Sequence, residues 1–98
     1  MKIIFVCSGN TCRSPLAESI AKSLLPNDSI ASRGLFAVEG QAISKESLEL
    51  IHKYGLPEPS LAQTFRIDDL DADIILTMTQ AHKDLIFSMY GRQSNVFT

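Results

Sequence analysis

The sequence has little that would carry it into or across a membrane. Its strongest apolar run near the start, Ile3 to Cys7, is five residues long. A bilayer span needs about 20 such residues, and the apolar core of a secretory signal is also longer. A soluble, cytoplasmic protein is therefore expected. Cysteine is scarce as well. The two present, Cys7 and Cys12, stand in one tight segment and cannot staple distant parts of a secreted miniprotein. Together they offer a metal only two ligands, while His52 and His82 stand apart with no second histidine at zinc spacing. No metal and no cofactor are expected. An excess of positive charge is missing too: nine basic against eleven acidic residues give a formal net charge of -2. Such a balance provides no broad basic footprint for nucleic acid or for an anionic membrane.

What remains is an ordinary globular composition, 45% apolar and 20% charged in 98 residues, which suits a single small domain spanning 1–98. Lys2 to Cys7 is a continuous apolar run with β-branched members, the pattern of a strand buried on both faces in a parallel sheet. Ser14-Pro15 then reads as a helix start, with Ser as N-cap and Pro at the first helical position. Leu16, Ala17, Ile20, Ala21 and Leu24 follow at helical spacing, Glu18 and Lys22 pair four residues apart, and Pro26 ends the pattern. Ile30 to Arg33 is a short strand stopped by Gly34.

Ser44 opens a second helix carrying Leu48, Ile51 and Tyr54 on one face, with Gly55 just beyond its end. Leu61 to Leu70 is read as a short, poorly patterned helix. Ile74 to Met78 is a second buried strand. Thr79 caps a helix bearing Leu85, Ile86 and Met89, Gly91 terminates it, and Val96 to Thr98 begins another strand. The order predicts an α/β fold: a three-layer αβα, Rossmann-like sheet of four parallel strands with helices on both faces. The last strand is followed by no covering helix, so an uncovered sheet face and self-association through it are expected.

In open α/β sheets, ligands bind beyond the carboxyl ends of the strands, where loops lead into helix N-termini. Cys7 to Ser14 occupies such a place and reads C-x5-R. A thiol ends the strand, small or polar residues follow, and a guanidinium stands just before the helix. The loop amides of Ser8, Gly9, Asn10, Thr11 and Cys12 and the positive end of the helix suit a tetrahedral dianion, phosphate above all. A thiol in the same field, beside Arg13, is stabilised as the thiolate and becomes a nucleophile. Arg13 is suited to pairing with two phosphoryl oxygens, which a Lys would do less well. Gly9 permits a backbone angle closed to other residues, Asn10 braces the loop, and Ser14 caps the helix, donates to the sulfur, or both. Cys12 is either a packed thiol or a redox partner that would form a reversible disulfide with Cys7.

Val6-Cys7-Ser8-Gly9-Asn10-Thr11-Cys12-Arg13-Ser14-Pro15-Leu16-Ala17-Glu18 resembles the signature of the low-molecular-weight protein-tyrosine phosphatases, including a bacterial branch that acts on phosphoarginine. The resemblance continues through Ser32-Arg33-Gly34, Asp73 to Thr79 with His82-Lys83, and Val96-Phe97-Thr98. It implies that Cys7 is the nucleophile, Arg13 the phosphate clamp, Ser8 to Cys12 the amide cradle, Asn10 the loop brace and Ser14 the donor to the thiolate. It also implies redox control through Cys12 and a phosphorylated protein as substrate. Tyrosine-directed members carry an aliphatic residue at the position of Thr11, and the arginine branch carries Thr, so Thr11 points to phosphoarginine.

The family's general acid, an Asp followed by Pro, has no counterpart: no Asp among these residues precedes a proline. Asp68, Asp69, Asp71, Asp73 and Asp84 are read as solvated or capping groups. Weak turnover is expected, since positioned proton transfer is worth about 10² to 10⁴-fold. Phosphotyrosine hydrolysis, a non-catalytic phosphate-binding module, an arsenate reductase and a phosphocarrier subunit are the competing readings. The last two are disfavoured by the lack of further cysteines and by the presence of Arg13.

Overall fold

Strand β1 (Lys2–Cys7) lies inside a sheet of four parallel strands ordered β2-β1-β3-β4, where β2 is Ser29–Gly34, β3 is Ile74–Thr77 and β4 is Val96–Phe97. Helix α1 (Arg13–Leu24) follows β1, α2 (Lys45–Lys53) and a 3₁₀ turn (Ile67–Asp71) separate β2 from β3, and α3 (Gln80–Tyr90) joins β3 to β4. This is a computed structural model, and it describes residues 1–9 and 13–98.

The β-branched run of β1 is buried on both faces, as a central parallel strand requires. Ile4 and Val6 are fully buried on one face with Ile75, Val96 and Ile86 of α3, and Phe65 and Tyr90 close that side. Ile3 and Phe5 face the other way, toward Ala21 of α1, Ile30, Ile74 and Leu76. The registers Ile3 with Ile30 and Ile3 with Ile74 align these side chains across three strands. The α/β class and the four strands agree with the sequence reading.

Four local expectations need correction. Helix α1 begins at Arg13, so Ser14 is not at the N-cap position but lies fully buried inside the first turn, where its hydroxyl meets the Cys7 sulfur. The apolar stripe of α1 is only partly inward: Ile20 and Leu24 are exposed, and the buried face is Ser14, Pro15, Glu18, Ser19 and Ala21. Phe5, Ala17, Ile20, Ala21, Leu24 and Leu25 line an open apolar groove of about 410 Å³ along that exposed stripe.

Leu61 to Leu70 is not one helix. Gly34 donates to the Gln63 carbonyl and Phe65 to the Gly34 carbonyl, so this segment runs extended beside β2, burying Ala62 and Phe65, before the 3₁₀ turn. Tyr54 and Met89 face solvent: Lys53 lies over the Tyr54 ring, and Ile86 with Tyr90 forms the inner side of α3. The expected helix ends at Ser44, Gly55, Thr79 and Gly91 hold, with Gly55 at φ +61° and Gly91 at φ +83°.

Candidate active site

Strand β1 leads into α1 beside β2, and its other neighbour, β3, leads into α3. The carboxyl end of β1 therefore lies at a topological switch point, where a crevice opens between the two crossovers. The chain leaving β1 is held from both sides. Leu35 N donates to the Cys7 carbonyl at 3.0 Å and Phe36 N to the Ser8 carbonyl at 2.9 Å, while Met78 N donates to the Val6 carbonyl at 2.9 Å. Cys7 is buried and Gly9 sits at a bend, half-buried. Phe36, tied to Ser8 through the backbone, is 71% exposed.

Three side-chain arrangements organise this edge. A buried hydrogen bond of 2.9 Å joins Cys7 Sγ and Ser14 Oγ. Ser8 Oγ lies 2.9 Å from His82 Nε2 in the first turn of α3, and His82 Nδ1 lies 3.1 Å from Thr79 Oγ1, the helix cap. Burial, and secondarily the charge of Arg13, lower the His82 pKa from its ordinary value, which favours the neutral ring. Glu18, one turn beyond Ser14, is fully buried and accepts from Lys22 Nζ, Ser32 Oγ, Ser60 N and Ser60 Oγ. Its carboxylate thus ties α1 to β2 and to the segment after α2.

The structure brings Cys7, Ser8, Gly9 and Ser14 to one edge, with Arg13 exposed at the start of α1. Asn10, Thr11 and Cys12 lie outside the described residues, and with them the loop brace, the rim position and the Cys7–Cys12 redox pair. His82, Phe36 and the buried state of Glu18 were missed by sequence reasoning. His82 carried a usable signal, since the first turn of a helix following a parallel strand faces the same crevice. Glu18 was masked by its spacing to Lys22, which suggests a surface pair; the pair exists, but its carboxylate is buried.

Asp28 and Asp73 accept from the Met1 and Lys2 nitrogens at the amino edge, the far end of β1 from Cys7. Asp69 is buried, where it accepts from Arg66 N and pairs with Arg33 at 3.2 Å, a capping role and not a solvated one. Among the described residues no helix is long and apolar enough to cross a membrane.

A buried thiol and hydroxyl meeting at the switch point of a parallel sheet define an α/β domain with a cysteine at the carboxyl end of its first strand. The chain belongs to the low molecular weight phosphotyrosine protein phosphatase family, whose model matches residues 2–98. It is 95% identical over 98 residues to the low molecular weight protein-tyrosine-phosphatase PtpB of Staphylococcus epidermidis, covering 100% of this chain and 70% of that protein. The protein of the same name from Staphylococcus aureus is 55% identical over the same length, with the same coverage of 100% and 70%. Among solved structures, a YwlE mutant from Bacillus subtilis superimposes with a TM-score of 0.94 at 35% identity, covering 100% of this chain and 70% of that one. The YwlE arginine phosphatase from Geobacillus stearothermophilus gives 0.92 at 33% identity, covering 99% and 65%.

Proposed function

We propose that this chain is a cysteine-dependent protein phosphatase that removes phosphate from phosphoarginine in proteins through a cysteinyl-phosphate intermediate. The observation that carries the reading is the 2.9 Å hydrogen bond between Cys7 and Ser14. We read the buried Ser14 hydroxyl as the donor of that bond, which supports the sulfur as the attacking group, and the helix terminus adds positive potential at the same point.

In the reaction the Cys7 sulfur attacks phosphorus, the P–N bond breaks, and the departing guanidine nitrogen takes a proton from solvent water. Water then attacks the cysteinyl phosphate, the S–P bond breaks, and inorganic phosphate leaves the restored thiolate. Arg13 pairs with two phosphoryl oxygens in both steps, and the amides from Ser8 to Cys12 hold the third. Ser8 to Cys12 includes Thr11, whose hydroxyl offers a guanidinium an acceptor that an aliphatic residue would lack. Phe36, exposed beside Ser8, gives the leaving group an aromatic wall against which a guanidinium can stack.

Phosphotyrosine is the second reading. The names of the Staphylococcus relatives favour it, and Phe36 would serve a phenol ring as well.

The test uses a polypeptide of these 98 residues with an activated aryl phosphate, a phosphoarginine peptide and a phosphotyrosine peptide. Since no Asp here precedes a proline, departure of the poorer leaving groups should be about 10² to 10⁴-fold slower than with a positioned acid. The aryl phosphate, whose leaving group needs no proton, should load Cys7 and reveal a phosphocysteine by mass spectrometry. Phosphoarginine should be consumed faster than phosphotyrosine, and Cys7→Ser should give no sulfur adduct. Phosphate release that survives Cys7→Ser would refute the mechanism; a preference for phosphotyrosine would select the second reading.

A further inference from the structure

We propose that His82 is a positioning residue of the phosphate loop, its imidazole fixing Ser8, the first residue after the nucleophile, against the first turn of α3. The proposal rests on the phosphatase reading of Cys7 and adds to it a residue from the other crossover.

The geometry is a three-member relay. Thr79 Oγ1 accepts from the His82 backbone N–H at 3.3 Å as the helix cap, which leaves its hydroxyl proton available to His82 Nδ1 at 3.1 Å. With Nδ1 accepting, the proton of the neutral ring sits on Nε2 and is donated to Ser8 Oγ at 2.9 Å. Ser8 then keeps its own hydroxyl proton for a partner other than the ring. His82 is 7% exposed, so the ring has little freedom to leave this arrangement. Its depressed basicity, from burial and from Arg13, agrees with a neutral imidazole acting as donor at Nε2.

The contact matters because of what it anchors. Ser8 and His82 are separated by 74 positions in sequence, so their bond joins the two crossovers that flank the crevice. The Ser8 carbonyl is already held by Phe36 N on the β2 side, and His82 holds the same residue from the α3 side. A loop that must present amides to an oxyanion gains most when its first residue is fixed before the ligand arrives, because then no reorganisation accompanies binding. The Cys7–Ser14 bond fixes the sulfur, and the Ser8–His82 bond fixes the start of the loop around it.

Orthovanadate binding separates this role from simple packing. Its affinity is to be measured by protection of Cys7 from iodoacetate, for the wild-type chain, Ser8→Ala, His82→Ala, His82→Gln and Ser8→Ala/His82→Ala, with thermal unfolding of each. Ser8→Ala and His82→Ala should each weaken binding about five- to tenfold, the worth of one organised hydrogen bond. The double variant should be no weaker than either single one, since both remove the same bond. His82→Gln, whose amide can reach the same oxygen, should return to within about twofold of wild type on the same reasoning.

Fully additive losses, equal losses for Ala and Gln at position 82, or unchanged affinity in Ser8→Ala would overturn the positioning role while leaving the phosphatase reading intact. If His82→Ala does not fold, Ser8→Ala and His82→Gln decide: the first must weaken binding and the second must not. A wild-type chain that binds no vanadate, with Cys7 alkylated at the rate of an ordinary thiol, would remove the phosphatase reading and this role together.

Discussion

Glu18→Ala isolates the physical role of a buried carboxylate that no apolar pattern announces. The group is fully buried and receives Lys22 Nζ at 2.5 Å, Ser32 Oγ, Ser60 N at 3.0 Å and Ser60 Oγ at 3.3 Å. Truncation does not affect these donors equally. Lys22 keeps 31% of its side chain exposed and regains water cheaply, and the Ser60 hydroxyl is half-buried and can turn. The Ser60 amide and the buried Ser32 hydroxyl lose an ionised acceptor, at about 1 to 3 kcal/mol each, and the space vacated by the side chain adds a cavity term.

Against this stands the relief of no longer desolvating a charge, which places the net near 3 kcal/mol, the lower end of the roughly 3 to 5 found when one partner of a buried pair is removed. A chain of this length has about 5 to 15 kcal/mol in total, so the variant keeps roughly two-fifths to four-fifths of its stability. With a urea slope near 1 kcal/mol per molar for a small domain, the unfolding midpoint should fall by about 3 M. Glu18→Gln is the control. Its amide can keep an oxygen toward Ser60 and turn its NH₂ to the Ser32 hydroxyl, so it should lose only the charge assistance, about 1 to 2 kcal/mol. An alanine variant within about 1 kcal/mol of wild type would show that this carboxylate does not hold α1 to β2 and to the segment around Ser60.

Ser14→Ala should slow alkylation of Cys7 by about tenfold, the worth of one lost hydrogen bond to the attacking sulfur; an unchanged rate would show that the 2.9 Å contact does not activate the sulfur. Stability should decline on acidification through His82. Burial and Arg13 lower its folded-state pKa below the ordinary 6.5, so the unfolded chain binds the proton more readily. Its contribution is complete above about pH 6.5 and lost progressively as pH falls toward the folded value. Melting temperatures at pH 7.5 and 5.5 should differ more for wild type than for His82→Gln, in the sense of lower stability at acid pH. Gly91→Ala should cost about 1 to 3 kcal/mol by urea unfolding, because φ +83° with ψ 174° is open to glycine alone.

The strands were legible because each is a compact apolar run whose bounding residues differ sharply from it. Lys2 to Cys7 ends at Ser8-Gly9, and Ile74 to Thr77 begins after a charged stretch. Helix termini were legible where one residue does one job, as at Ser44, Gly55, Thr79 and Gly91. For Ser14 two roles stood open, capping its helix or meeting the sulfur seven positions earlier, and the folded chain brings that sulfur within 2.9 Å. In helix α1 the inward face is largely polar, Ser14, Glu18 and Ser19, so hydrophobic spacing located only part of it, with Ala21 buried and Ile20 and Leu24 exposed. The Leu61 to Leu70 segment has apolar residues at positions that suit a helix. Its actual conformation is set by pairing with Gly34, a contact across 30 residues that local pattern cannot contain. Cys7 and Arg13 stand out in sequence through their C-x5-R spacing, whereas His82 and Glu18 make contacts with partners distant in sequence.

A chain with net charge -2 must still attract a dianion, and the arrangement of its charges shows how. All four strands are parallel, so every crossover helix in the α1 and α3 positions starts at the carboxyl edge and contributes positive potential there. Asp28 and Asp73 are held at the opposite edge by the Met1 and Lys2 nitrogens, a full strand length from Cys7. Arg13 stands at the carboxyl edge, and burial, with Arg13 second, lowers the pKa of His82 from its ordinary value, which disfavours a second positive charge there. Positive potential at the crevice thus comes from the Arg13 guanidinium and the two helix termini instead of from a broad basic surface. Oxyanion affinity should accordingly weaken only modestly as salt is raised from 0.05 to 0.5 M, because short-range contacts inside a partly buried loop are screened far less than surface pairs across a Debye length of about 10 Å. Loss of vanadate binding by two orders of magnitude over that range would instead mean that long-range surface charge holds the ligand, and that the loop contributes little.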